Sequence, residues 1–367
     1  MAEAQIILSH SRDSGIVAIA SGEQYPWAHT ALAESGFKRD DAGVHHLPAD
    51  GNGTTVADLV TCAKRHRTSV HTSSRRFIGD AACDLARQLP GQWNTSVGIY
   101  SHPAWQEDLV PWIWDSGELG RALQRERIPY AATLTDPASG TNLLLIERPG
   151  HQHDYLVGAF APGPFDGGYG DPHAPHGIVL PPSPGPAAKT ITDQYLPGYD
   201  RAVHTRKTAA VADALDRIRT EHHAWTAQVA SGWHSDTSPL GIDALGTASA
   251  RLLDNAWGGF LTVMDHAPAL LKRCRPAAAQ WPDDTDALAQ LANALNDAET
   301  VREELARGIL LTRTERITRT WPAIETWLAH GERFLRQARA TTPGQRSAPA
   351  GTATPRTLPP GRPAPRR

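Results

Sequence analysis

The sequence predicts an α+β protein: a small N-terminal α/β module, a central antiparallel β-meander, a C-terminal helical bundle and a disordered Pro/Arg-rich tail. Three observations carry this prediction. From Ile16 to about Ser74 the apolar period switches between two and 3.6, "YAATLTDPASGTNLLLIERPG" sets two apolar runs about a turn, and from about Ala188 long stretches keep one helical face apolar. The expected units are residues 1–90, 91–187, 188–340 and 341–367.

In the first unit "GIVAIASG" reads as a short buried strand and "YPWAHTALAESG" as a helix. Pro26 stands near the helix start, where a missing N–H costs nothing, and Gly36 stands where a left-handed cap is needed. "VHHLP" is a second strand, "TTVADLVTCAKRHR" an amphipathic helix with Val56, Leu59, Val60 and Ala63 on one face, and "TSVHTSS" a third strand. Ile78, Ala82, Leu85 and Leu89 recur at helical spacing, and "TSVGIY" opens the second unit as a strand. After it come Trp105, Trp112 and Trp114, large rings of the kind that anchor a core or a partner surface. "DPASG" supplies turn chemistry for the hairpin, "DYLVGAFAP" is its third strand, and residues 161–187 form a Gly/Pro loop.

The helical unit begins with a narrow seam of Val211, Leu215, Ile218, His222, Trp225 and Val229. A second helix carries Leu245, Leu252, Ala256, Phe260 and Val263, and a third Leu288, Leu291, Leu295, Ala298, Val301 and Leu305. The fourth carries Ile317, Trp321, Ile324, Leu328 and Leu335 and should break or kink at Pro322. Short connections make the four antiparallel neighbours in a bundle. Beyond Ala340 the composition cannot bury enough surface to offset chain entropy.

Composition narrows the function. The formal charge is −3, but five of the 36 basic residues are tail arginines, leaving 31 against 39 acidic ones, a net of −8 for the rest. A broad attraction to nucleic-acid phosphates is not expected of such a body, although a local basic strip is compatible with it. Cys62, Cys83 and Cys274 are too far apart for a zinc ribbon or a disulfide framework, which fits a reducing cytoplasm. No stretch has the roughly 20 apolar residues of a membrane span, and the N-terminus has no secretion signal.

The motifs that carry chemistry are few. "HQHDY" and "GDPHAPHG" supply His151, His153, Asp171, His173 and His176, enough imidazole and carboxylate for one divalent metal if they converge. "AKRHRTSVHTSSRR" gathers Lys64, Arg65, Arg67, Arg75 and Arg76 with hydroxyls, a candidate phosphate strip that a solvated helix end would also produce. There is no GxSxG elbow, no phosphate-binding GxxxxGK[ST] loop and no HExxH helix.

At "YPWAHTALAESGFKRDDAGVHHLP", "SHPAWQEDLVPWIWDSGELGRALQRERIPYAATLTD" and "GYGDPHAPHGIVLPPSPG" the chain resembles a family of Streptomyces and related actinobacterial proteins associated with plasmids and integrated mobile elements. The resemblance spans most of residues 10–330 and implies no established activity and no catalytic residue. The order of helix, Gly36-Phe37, strand and Pro48 is also similar to a small module of single-strand-handling proteins such as HARP-type annealing helicases. His45 and His46 stand where that module has an aromatic residue.

Together these readings point to a cytoplasmic, non-enzymatic accessory protein of a mobile element or its host. Its expected contacts are a protein partner or a second copy, through Trp105, Trp112 and Trp114, and nucleic acid, with no cofactor and no membrane. The alternative is a metal-dependent hydrolase or nuclease centred on the five His and Asp residues.

Overall fold

The computed structural model describes residues 4–48, 54–163, 165, 167–232, 242–277 and 281–343. The tail from residue 344 lies outside the described residues. The chain is an α+β protein in which two sheets share a core and pass into a helical bundle.

The first sheet has the order β3-β4-β2-β1-β5. Its strands are β1 (Gln5–Ser11), β2 (Gly15–Ser21), β3 (Lys38–Arg39), β4 (His45–His46) and β5 (Ser69–Arg76). The sequence reading opened the module at Ile16 and missed β1, which pairs antiparallel with β2 and parallel with the edge strand β5. "QIILSHS" is apolar on both faces at its start, so no clean alternation marks it. Ile6, Leu8, Ala18 and Ala20 pack against α1 (Tyr25–Glu34) and α2 (Thr54–Arg65) through Ala28, Leu32 and Leu59. Val17 and Ile19 face the opposite way, into the core of the second sheet.

That sheet runs β11-β10-β9-β8-β6. It comprises β6 (Asn94–Ile99), β7 (Ile113–Trp114, also paired with β10), β8 (Tyr130–Asp136), β9 (Thr141–Glu147), β10 (Tyr155–Phe160) and β11 (Ile178–Leu180). The meander is the one expected around "DPASG". One face, with Leu134, Leu143, Leu145 and Val157, packs on α3 (Ile78–Ala86) and α6 (Pro184–Thr190); the other, with Leu144, Ile146 and Leu156, packs on α5 (Glu118–Arg125). The short α4 (Pro103–Glu107) lies beside α5.

A π-helical turn at Ile191–Tyr195 leads α6 into α7 (Leu196–Ser231). Ile191, Tyr195 and Tyr199 still belong to the core of the sheets, whereas Val211, Leu215 and Ile218 belong to the bundle, so one helix joins the two regions. The bundle is completed by α8 (Ile242–Ala277), α9 (Thr285–Ala306) and α10 (Arg313–Ala340). Its aromatic spine is Phe260, Trp327 and Phe334, the last two edge to face at 5.1 Å. Full burial of each such side chain contributes about 1.5–3 kcal/mol. At Gly331 a Cβ would stand 2.6 Å from Leu215 Cδ1, so glycine sets how closely α10 approaches α7.

Two expectations need correction. The α7 seam is buried only as far as Ile218; His222 and Trp225 are half-buried and Val229 is exposed. The helix α10 is also not interrupted at Pro322, which lies inside it. Its N-terminus is secured by a capping box between Thr312 and Glu315, and Ala323, Ile324 and Trp327 just beyond the proline are buried, which offsets the lost N–H.

Candidate functional site

A groove of about 540 Å3 opens between the edge strand β5 and the ends of β8 and β9. Strand alternation brings its central groups together. Thr141, Leu143, Leu145 and Glu147 share one face of β9, and Tyr130, Ala132 and Leu134 share the corresponding face of β8, so a carboxyl and a phenol end two rows of core side chains.

Tyr130 Oη donates to Glu147 Oε1 at 3.1 Å, and Arg75 Nε lies 3.6 Å from Glu147 Oε2. Burial is the largest influence on Glu147 and pushes its pKa up, against the opposing pull of Arg75 and Tyr130. Burial and the neighbouring carboxylate also raise the Tyr130 phenol. The Arg75 guanidinium stands 6.0 Å from the Tyr155 ring centre and donates to the carbonyls of Asp154 (3.0 Å), Arg148 (3.1 Å) and His151. The turn after β9 is therefore wrapped around a cation from the other sheet.

A second guanidinium lies at the other end of the groove. Arg127 donates to Gln106 Oε1 (2.9 Å), Ser21 Oγ (3.1 Å) and the carbonyls of Ser101 (2.9 Å) and Tyr100. Among the described residues it has no carboxylate partner and its Nε none at all, and burial lowers its pKa. Arg148 on the rim is neutralised by Glu118 at 2.6 Å and Asp154 at 3.5 Å. The exposed rim carries His71, Thr72, His151 and Gln152. The groove thus holds two half-buried cations over one reluctant carboxylate, with donors from rim side chains and from an edge strand.

The five candidate metal ligands fall in different places. His151 is exposed, 3.8 Å from Asp154, and His153 is exposed at a separate pocket. Asp171 accepts from Arg206 Nε (2.7 Å) and from the backbone N–H of His173 (2.8 Å), so it serves as an ion-pair partner and turn cap. His176 Nδ1 faces Ser116 Oγ at 3.2 Å. Among the described residues no group of three or more His, Cys, Asp or Glu side chains is placed to hold a metal.

The basic strip divides as well. Arg75 is committed to the interior, and Arg65 is occupied by Cys62 Sγ (2.8 Å) and Glu34 (3.6 Å). Lys64, Arg67 and Arg76 are exposed and have no ion-pair partner among the described residues. Of the tryptophans, Trp114 is fully buried between Phe165 and Tyr199, which removes it as a partner surface; an inward position on β7 leaves its ring no route to solvent. Trp105 is half exposed against Tyr25 at 5.1 Å, and Trp112 is exposed.

Sequence reasoning missed Tyr130, Glu147 and Arg127. The signal for Glu147 was present, because in "TNLLLIE" it stays in phase with two core leucines. Arg127 has no such signal, since its partners come from three separate segments. A further titratable pair lies across α1 and β4, where His29 Nδ1 and His45 Nε2 are 2.7 Å apart. Burial, then His29 and Arg39, lowers the His45 pKa to about 4.

Compared with protein-family models, curated proteins and solved structures, the chain matches none.

Proposed function

We propose that the protein is a non-enzymatic recognition protein that binds single-stranded nucleic acid along β5 and the groove beside it, as a cytoplasmic accessory of an actinobacterial mobile element or its host. The observation that carries this reading is a half-buried Arg127, with no carboxylate partner among the described residues, in one groove with Arg75 and a carboxyl whose pKa is raised. Both guanidinia spend their hydrogen bonds within the fold, so their contribution to a ligand is a positive potential focused by low-dielectric walls. His71, Thr72 and Gln152 on the rim, together with the unpaired cations Lys64, Arg67 and Arg76, supply the direct contacts to phosphate.

Fluorescence anisotropy with a labelled single-stranded oligodeoxynucleotide tests the reading. The variant His71→Glu/Gln152→Glu changes only exposed rim residues, and it should bind at least tenfold more weakly with an unchanged melting temperature. Equal binding by both proteins, or binding by neither, would refute the reading.

A further inference from the structure

On the flank of the bundle the Gly/Pro loop is pinned to the Trp-rich segment. The backbone N–H groups of Gly168 (2.8 Å) and Tyr169 (3.3 Å) both donate to the Pro111 carbonyl, and that of Ala161 donates to the Trp112 carbonyl at 2.9 Å. A Cβ on Gly168 would lie 2.7 Å from the Ile113 carbonyl and the Trp114 backbone, so only glycine permits this approach. Phe165 stacks on His266 at 5.1 Å beneath the Arg206 guanidinium, and Arg206 in turn pairs with Asp171. These contacts frame an open groove of about 710 Å3 lined by Pro111, Trp112, Phe165, Tyr169, Asp171 and Asp213.

Trp112 is 58% exposed and Tyr169 66%, high values for rings held by so fixed a backbone. Asp213 has no ion-pair partner among the described residues. Two exposed rings beside an unpaired carboxylate form the kind of surface that recognises a proline-rich peptide flanked by arginine: prolines seat between rings, and the guanidinium takes the acid.

The chain itself carries such a peptide. Residues 355–367, "PRTLPPGRPAPRR", contain Pro360 and Pro363 at PxxP spacing with Arg356, Arg362, Arg366 and Arg367. The segment also starts close enough to reach the groove. The Pro343 carbonyl accepts from Arg201 Nε on α7 at 3.0 Å. Arg206 and Asp213 lie farther along that helix, about 8 and 18 Å away at 1.5 Å per residue. Residues 344–354 can span up to about 36 Å when extended.

We propose that residues 355–367 dock in cis in the groove of Trp112, Tyr169 and Asp213. The proposal is independent of the nucleic-acid reading. A tethered segment competes at an effective concentration on the order of millimolar, so a free peptide meets an occupied groove. The test uses a fluorescein-labelled peptide of residues 353–367 and three full-length proteins. One is unaltered, one carries Pro359→Ala/Pro360→Ala/Pro363→Ala to empty the groove, and one adds Trp112→Ala/Tyr169→Ala to that variant. Both rings are solvent-exposed, and Asp213→Arg provides an independent groove variant. The proposal expects the tail variant to bind the peptide at least tenfold more tightly than the unaltered protein, and the added groove changes to abolish that gain. Equal affinities, no binding by either protein, or a gain that survives loss of the rings or of Asp213 would overturn it. A dimer of the unaltered protein that the tail variant loses would also overturn it, because the segment would then act between copies.

Discussion

Between α8 and α10 the bundle interior is mainly apolar: Phe260, Trp327 and Phe334 meet edge to face and charges such as Arg302 and Asp265, 2.6 Å apart, pair at the surface, although His204, His266, Asp284 and Gln337 are buried in the helical region too. In the two sheets Asp80 and the imidazole of His45 are buried, and Arg75, Arg127 and Glu147 are half-buried in one groove. Asp80, for example, accepts from Ser11 Oγ at 3.1 Å and from the Arg12 backbone N–H at 2.6 Å across two elements. An apolar core contributes stability and little chemistry, whereas buried polar groups cost desolvation and leave a field. The binding surface proposed above draws on the polar groups of the sheets, and the contrast with the more apolar spine of the bundle is one way to test it.

The contrast can be broken at several points. Phe334→Ala should cost the most, about 3–5 kcal/mol, because the spine around it cannot collapse fully. Urea unfolding measures this loss, and rim binding by the surviving folded fraction should be unchanged. In the sheets, acid should act through His45. The folded pKa is about 4, below the ordinary value of 6.5, so between these values only the unfolded chain takes up the proton. Stability is therefore full above pH 6.5 and falls as the pH drops toward 4, by on the order of 3 kcal/mol. Denaturation across that range should show the slope, and His45→Gln should flatten it.

Glu147 titrates with the opposite sign. Its folded pKa is raised, so its contribution is fully present below the unfolded value near 4.5 and is lost as the pH rises through the folded one. Glu147→Gln should flatten this dependence, which denaturation measured across the same pH range would show. The smallest effect belongs to Lys64→Ala, which leaves stability within about 0.5 kcal/mol and weakens oligonucleotide binding only a few-fold.

How much of this was legible in the sequence follows from the same contrast. Leu288, Leu291, Leu295 and Ala298 repeat at helical spacing because all four face one neighbouring core, and the structure buries them as that spacing implies. The hairpin was legible for a similar local reason, since "DPASG" supplies its own turn geometry. The groove is assembled from β5, the residue before β8, the end of β9 and the turn beyond it, and no local period reports which of them meet. The imidazoles of "GDPHAPHG" misled in the opposite direction. They are neighbours in sequence, yet Asp171 turns to Arg206 and His176 to Ser116.

The phosphate binding proposed for β5 rests on a positive potential, and the salt dependence of oligonucleotide binding tests it. Two or three neutralised phosphates predict a logarithmic slope of about −1.4 to −2.1 against salt concentration, reduced in the His71→Glu/Gln152→Glu protein. Affinity that does not change with salt, or a slope that the rim variant leaves intact, would contradict the account.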